Sequence, residues 1–438
     1  MSSAVKQMLV AGWRKRWSPE LWLLASNLLS RLLGFVVSLL VSRLLGVQSL
    51  GMYSGMLITT ASPTTPMASA LANNATMLAV KTSQASQLPT LLRAHALPLF
   101  VSGGLAYGGC LVMMYSVGLH ESVALDWMSV AVVAGMLVLG QLLTPFLMGM
   151  AHGANLSLGA SAVTMGWTVL GLVLVYPVIT GVGLLGTLWQ AAVVGLLPAL
   201  TLFAWMVWRS RGAPAAETIN SVDAGMQARE HFLKAMPSMG ATVANNATNW
   251  LACIYLAERA HGAVGVGQVA IGLQWMALML LPLTSWNGRV MRALALAHSE
   301  GASVLKGVLA GQVRRCVLIT MLASAVAAAA TPWIAELYRV EVAVLWGLML
   351  VNALAAVLFA VNFVYERVCF CLGTQGVWLK MSMAAYVAQL VFTFSFIRES
   401  IWVVALGNLL AIGILLILMR WVINRELRIA SMLRPEGA

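Results

Sequence analysis

Arg43-Leu-Leu-Gly46-Val-Gln-Ser-Leu-Gly51 is followed, 216 positions later, by Arg259-Ala-His-Gly262-Ala-Val-Gly-Val-Gly267. The two stretches share an arginine and two glycines at the same spacing, and the same offset places Pro66 on Pro282. Because the chain has 438 residues, this offset is about half of its length. Two similar halves in apolar surroundings are typical of membrane proteins that move a substrate held between the halves.

The composition places the chain in a membrane. Apolar residues make up 61% of the sequence, charged residues make up 9%, and the mean hydropathy is +0.88. Soluble domains carry roughly 25% charged residues, so an ordinary soluble fold is excluded. The formal net charge of +12 is dispersed between apolar runs. It does not form the single basic face that nucleic-acid binding requires, and we expect no nucleic-acid partner.

Apolar runs of about 20 residues, the length that crosses a bilayer, occur twelve times. The first six are predicted near 21–45, 52–80, 95–119, 127–150, 158–180 and 184–208. The second six are predicted near 234–258, 267–297, 316–336, 342–365, 377–397 and 401–421. The polar connector Arg209 to Glu230 separates the two sets. We therefore expect an all-α integral membrane protein with two six-helix bundles, residues 1–215 and 216–438, arranged as a V.

Most of the 26 lysines and arginines lie in segments that face the cytoplasm if the N-terminus is inside. This bias sets orientation in bacterial membranes, so both termini are predicted to be cytoplasmic. With six spans in each half, the two repeats run in the same direction through the membrane. An axis along the membrane normal would then relate them.

Arg31 is the strongest candidate for a functional residue. It lies about eleven residues into the first predicted span, or about 16 Å at 1.5 Å per residue, close to the middle of the bilayer. A charge at that depth costs roughly 2.5 to 3.5 kcal/mol on insertion scales, so Arg31 is expected to face a wet cavity or a polar partner. Asn27 lies one turn earlier on the same helix face. A structural ion pair, or a hydrogen bond to a broken helix, is the alternative role for Arg31.

Prolines and polar residues recur at equivalent depths in the second and eighth predicted spans. Pro66 and Pro282 are expected to bend these helices. In the repeat register Asn73 overlays Arg289, and Arg292 lies three residues further along the same helix face. The two arginines suit an anionic headgroup, with anchoring to lipid phosphate as the alternative.

Amide and carboxylate side chains are the remaining candidates for substrate binding and ion coupling. Asn245 and Asn249 lie in the seventh predicted span, where amides serve either substrate binding or hydrogen bonds between helices. Glu258 and Glu366, each followed by an arginine, are the candidates for ion coupling, with an interfacial ion pair as the alternative. The sequence has no nucleotide-binding loop, hydrolase motif or metal-ligand spacing, so we expect neither an enzyme nor a bound cofactor or metal.

The run Ser30-Arg31-Leu-Leu-Gly34-Phe35, together with Arg43-Leu-Leu-Gly46 and Leu50-Gly51-Met-Tyr53, resembles the opening of the polysaccharide and lipid-linked oligosaccharide flippases. These proteins belong to the multidrug/oligosaccharidyl-lipid/polysaccharide exporter superfamily. The resemblance implies an inner-membrane flippase that moves an undecaprenyl-diphosphate-linked oligosaccharide, such as an O-antigen unit, from the cytoplasmic to the periplasmic leaflet. With this function, the candidates identified from the residues themselves, Arg31, Asn27, Asn73, Arg289, Arg292, Asn245 and Asn249, would contact the substrate. A polysaccharide polymerase and a chain-length regulator would be its partners, besides membrane lipids.

Two related families fit less well. The lipid II flippases share the Ser-Arg run but continue with Arg-Asp, where this chain has Val37 and Ser38, and they usually have fourteen helices. The drug and cation exporters share twelve helices but place a carboxylate in the membrane region of the N-terminal half. This chain has no Asp or Glu between Glu20 and Glu121. A multidrug exporter remains the alternative function, and a membrane scaffold that transports nothing is the third.

Overall fold

The computed structural model describes residues 19–82, 88–116, 126–154, 156–211, 221–259, 262–398 and 400–433. This part of the chain is almost entirely helical, as predicted. The N-terminal half contains α1 (Pro19–Leu45), α2 (Val47–Thr82), α3 (Leu88–Ser116), α4 (Trp127–Gly153) and α5 (Ser157–Arg211). The C-terminal half contains α6 (Ser221–Arg259), α7 (Gly262–Met279), α8 (Leu281–Glu300), α9 (Ala302–Ala329), α10 (Thr331–Tyr338), α11 (Val342–Leu372), α12 (Gln375–Phe396) and α13 (Trp402–Leu433).

Nine of the helices in these ranges are long and apolar enough to cross a membrane. One of them, α5, has 55 residues, and its backbone leaves the helical conformation at Gly183, with φ 71° and ψ −148°. A glycine tolerates this positive φ because it has no Cβ. The fifth and sixth predicted spans are therefore the two parts of α5, before and after Gly183. The prediction of an all-α membrane protein is confirmed.

Several helix boundaries differ from those predicted. Helix α6 begins at Ser221, so the second part of the polar connector is helical and not an irregular linker. The third helix starts at Leu88, seven residues before its predicted start. The ninth predicted span is divided between α9 and α10. Hydropathy marks the apolar part of a helix, whereas backbone hydrogen bonding continues into polar turns beyond it.

The sequence repeat has a counterpart in the local backbone. Gly46 and Gly262 both have positive φ, 90° and 60°, and each lies where a new helix begins, at α2 and α7. The helices around the two equivalent prolines differ between the halves. Pro66 lies inside the continuous helix α2, whereas a break at Leu280, just before Pro282, separates α7 from α8.

The two halves meet through α2, which packs against α6 and α7. A Cβ added to Gly51 would overlap the carbonyl of Ala263, and a Cβ added to Gly267 would lie 2.6 Å from the carbonyl oxygen of Val47. In the repeat register Gly51 corresponds to Gly267 and Val47 to Ala263. Each half therefore makes the same contact on the other, as expected for a two-fold axis.

Hydrogen bonds join the halves near the end of the molecule where α1 ends and α2 begins, which we call the outer end. The Ser38 hydroxyl donates to Gln274 Oε1 at 2.7 Å, and the Ser42 hydroxyl donates to the carbonyl of Tyr338 at 2.8 Å. Further along α2, the indole of Trp250 donates to Thr59 Oγ1 at 3.0 Å. One cluster of buried apolar residues, which includes Val41, Met276 and Tyr338, draws its members from both halves. The opposite end, where α1 begins and α2 ends, is called the inner end.

Candidate functional site

The N-terminal half contains a cavity of about 880 Å³. Its lining residues come from α1, α2, α4 and from both parts of α5, so it lies within one half. The sequence led us to expect a site between the halves, whereas this cavity lies within one of them. The reason is local packing, because four helices of the same half surround this space. We call it the N-half cavity.

Close helix contacts build the wall of the cavity. A Cβ on Gly140 of α4 would lie 2.5 Å from the backbone carbonyl of Gly195 in α5, so the two helices approach at their backbones. A Cβ on Gly149 would overlap the carbonyl of Ala72 in α2. The hydroxyl of Thr76, one turn beyond Ala72, donates to the carbonyl of Gly149 at 3.1 Å. Small residues at helix crossings are the usual way to pack helices tightly in lipid.

Arg31 lines the N-half cavity, and its side chain is exposed. Its guanidinium makes no hydrogen bond or ion pair with another residue among those described. The described residues that line the cavity include no Asp or Glu, and His152 is the other ionisable side chain of basic character. Arg31 therefore gives this cavity a positive charge that no carboxylate of its lining neutralises.

Polar atoms without partners accompany Arg31. Gln190 donates to the carbonyl of Gly171 at 2.8 Å, and Gln141 lies 3.5 Å from Thr60 Oγ1 through its amide nitrogen. The Oε1 atoms of both glutamines are buried and accept no hydrogen bond from the described residues. The buried hydroxyl of Thr144 likewise has no partner there. The lining thus offers free hydrogen-bonding atoms beside a cation, which suits a substrate with hydroxyls and an anionic group.

Sequence reasoning missed the two glutamines and Thr144. Gln141 and Gln190 each lie inside an otherwise apolar span, and a polar residue in a membrane helix is itself a signal of function or helix contact. Their positions differ by 49 residues. Nothing in the sequence indicated that they face the same space as Arg31.

The structure describes the backbone of the other predicted binding residues, but only some of their side chains. The side chains of Asn27, Asn73, Arg289 and Arg292 lie outside the described part. Their roles stay predictions.

Asn245 and Asn249 lie in the C-terminal half, away from the N-half cavity. Asn249 donates to Asn245 Oδ1 at 3.3 Å and accepts a hydrogen bond at 3.1 Å from the buried amide of Gln389 in α12. They form a chain of amides between α6 and α12. This arrangement agrees with the alternative role of these residues, which is hydrogen bonding between helices.

The two predicted coupling carboxylates differ in their surroundings. Glu258 is exposed at the end of α6. Glu366 forms an ion pair with its neighbour Arg367. Arg367 donates to Asn287 Oδ1 at 2.9 Å, and its guanidinium lies 3.7 Å from the ring centre of Phe363. Arg367 thereby connects α11 to α8. A role in ion coupling stays a prediction for both carboxylates.

Comparison with solved structures gives matches over nearly the whole chain. An inward-facing multidrug resistance MATE family transporter of the MOP superfamily aligns with a TM-score of 0.66 at 16% identity, covering 92% of this chain and 96% of the other. The fold is that of the MATE transporters. A eukaryotic MATE transporter aligns with a TM-score of 0.65 at 15% identity, covering 94% of this chain and 96% of the other.

A third match is a MOP superfamily transporter from Pyrococcus furiosus, described by the reverse polarity of its binding pocket, which suggests a different function. It aligns with a TM-score of 0.63 at 15% identity, covering 94% of this chain and 97% of the other. No protein-family model matches the chain, and no curated protein matches it. At these identities the likeness concerns the fold.

Proposed function

We propose that this chain is a membrane transporter that moves a bulky anionic molecule, an oligosaccharide linked to undecaprenyl diphosphate, from one leaflet to the other. The observation that carries the proposal is the N-half cavity, in which Arg31 faces no carboxylate of the described lining. Burying a diphosphate without a cation costs several kcal/mol, and arginine engages phosphate oxygens through two parallel hydrogen bonds. This cavity therefore favours an anion over a cation.

The rest of the lining supports a sugar next to the phosphates. The free amide oxygens of Gln141 and Gln190 accept hydrogen bonds from hydroxyls, and Thr144 can donate or accept. The fold supports transport in general, since the similar structures are described as transporters. Arg289 and Arg292 remain in the proposal as further phosphate contacts, on the sequence argument alone.

A multidrug exporter is the second candidate, and the comparisons favour it more directly than the flippase. One of the similar structures is described as a multidrug resistance transporter, and none of those reported above is described as a polysaccharide flippase. The charge of the N-half cavity weighs against cationic drugs. An exporter built on this cavity would take anionic or neutral compounds.

Transport by the purified full-length chain in proteoliposomes tests the proposal. The substrate is a fluorescent undecaprenyl-diphosphate oligosaccharide, and matched vesicles contain either a cationic or an anionic dye. We expect Arg31→Ala to slow oligosaccharide transport by at least about thirtyfold, because losing one partner of a charge contact that the bound substrate would bury costs about 2 kcal/mol or more. Arg31→Lys should recover part of the rate, since lysine offers a point charge without the fork of arginine.

Arg93→Ala is the matched control, because Arg93 is exposed on α3 and does not line the cavity. It should transport at the wild-type rate. Full transport by a folded Arg31→Ala protein would contradict the role of Arg31. If the protein transports a dye but not the oligosaccharide, the flippase function is rejected in favour of the exporter. The charge of the transported dye would then show whether the exporter prefers cations or anions.

A further inference from the structure

A second cavity lies at the outer end, apart from the N-half cavity. Its volume is about 430 Å³, and its walls come from both halves. Phe35 and Arg43 of α1 form one side, and Trp275, Trp333 and Glu336 of α7 and α10 form the other. The volume falls within the roughly 300 to 1,000 Å³ that is typical of small-molecule sites. We call it the outer pocket.

The outer pocket combines one positive group, one negative group and three aromatic rings. Arg43 and Glu336 both line it, yet they form no ion pair with each other or with other described residues. The ring of Trp275 lies edge-to-face against Phe35, with centroids 5.3 Å apart, and its indole nitrogen is buried without an acceptor among the described residues. Both charged side chains are exposed, so a ligand that carries both charges can reach each of them.

Position identifies the class of ligand. Arg43 occupies the last turn of the apolar helix α1, and Trp333 is 70% exposed on α10, directly after the apolar helix α9. Tryptophan and arginine at helix ends are the residues that contact lipid headgroups. Ala330 and Leu337 also line the pocket and give it an apolar surface that suits an acyl chain.

We propose that the outer pocket binds the headgroup of a zwitterionic phospholipid with a primary ammonium, phosphatidylethanolamine. Arg43 holds the phosphate, for which its guanidinium has matching donors, and Trp275 provides a further N–H. Glu336 accepts hydrogen bonds from the ammonium, and the faces of Trp333 and Phe35 attract the same cation. Because the two halves supply different parts of the pocket, the bound lipid bridges them at the outer end.

Lipid retention by the purified full-length chain tests this proposal. The protein is extracted from nanodiscs with equal amounts of phosphatidylethanolamine, phosphatidylcholine and phosphatidylglycerol, and retained lipid is counted by native mass spectrometry. We expect phosphatidylethanolamine to exceed both other lipids by about threefold or more, the size expected from an exposed ion pair with a cation–π contact. Glu336→Gln should remove the preference over phosphatidylcholine, and Arg43→Gln should lower retention of all three.

Matched controls separate the pocket from surface charge in general. Glu341→Gln and Arg398→Gln neutralise exposed charges that do not line the pocket, and they should keep the wild-type preference. Trp333→Ala changes a side chain that is 70% exposed, and it should weaken retention of phosphatidylethanolamine. Equal retention of the three lipids by the wild-type chain would overturn the proposal. So would a preference for phosphatidylglycerol, or a preference that persists in both Glu336→Gln and Trp333→Ala.

Discussion

The crossing of α2 and α7 predicts an unusual response to a single methyl group. Gly51→Ala would place a Cβ on the carbonyl of Ala263, with the carbonyl carbon at 2.7 Å and the Cα at 3.2 Å. These neighbours are backbone atoms of a helix, so no side-chain rotation makes room and the helices must separate. Overpacking of this kind costs about 1 to 3 kcal/mol, and the backbone contact places Gly51→Ala at the upper end.

The gain in helix propensity from replacing a glycine is smaller than this overpacking cost. Replacing a helical glycine by alanine gains up to about 1 kcal/mol where space is free. We therefore expect Gly51→Ala to destabilise the chain by about 2 kcal/mol net. Gly108→Ala is the control, since Gly108 also lies inside a helix and a Cβ there meets nothing within 4 Å. This variant should be as stable as the wild type or more stable.

Thermal unfolding in detergent micelles, followed by the far-UV helix signal, gives the order of stability. Gly267→Ala should cost less than Gly51→Ala, because its nearest atom, the Val47 carbonyl oxygen, lies 2.6 Å from the new Cβ. Both substitutions separate the same two helices, so the double variant should lose less than the sum of the single losses. Equal stability of Gly51→Ala and Gly108→Ala would refute the close crossing. Strict additivity in the double variant would refute the two-fold contact.

Three further outcomes follow from the structure. Gly140→Ala should lower stability by about 1 to 3 kcal/mol in the same unfolding assay, because its Cβ would lie 2.5 Å from the carbonyl of Gly195; unchanged stability would contradict the α4–α5 contact. Tyr338→Phe should cost about 1 kcal/mol, because it removes the hydroxyl that bonds to Ser38 at 3.1 Å while the buried ring remains; a wild-type melting temperature would show that this bond does not stabilise the fold. Asp126 caps α4, and the hydrogen bonds from Ser129 hold the pKa of its carboxyl below the ordinary value. The stability it contributes is therefore present above its unfolded pKa and is lost as pH falls through the folded pKa. The melting temperatures of wild type and Asp126→Ala should differ at pH 7 and converge in acid, and a constant difference would exclude this role.

The sequence by itself determined the helical class of the protein and most of its helix positions. Long apolar runs must hydrogen-bond their own backbone in lipid, which leaves the helix as their structure. The repeat also predicted equivalent backbone turns, and Gly46 and Gly262 have them. Arg31 was identified as a candidate for a cavity because its depth in α1 follows from the helical rise alone.

Only the tertiary structure decided which polar residues share a space. Arg31, Gln141 and Gln190 belong to α1, α4 and α5. The backbone contact at Gly140 joins α4 to α5, and a hydrogen bond of 3.0 Å between the hydroxyls of Ser26 and Thr164 joins α1 to α5. In lipid the apolar faces of helices do not select their neighbours, because acyl chains are as apolar as leucine, so small residues and hydrogen bonds decide the packing. Such contacts join positions far apart in sequence. For this reason the site was expected between the halves, whereas the cavity that holds Arg31 lies within one of them.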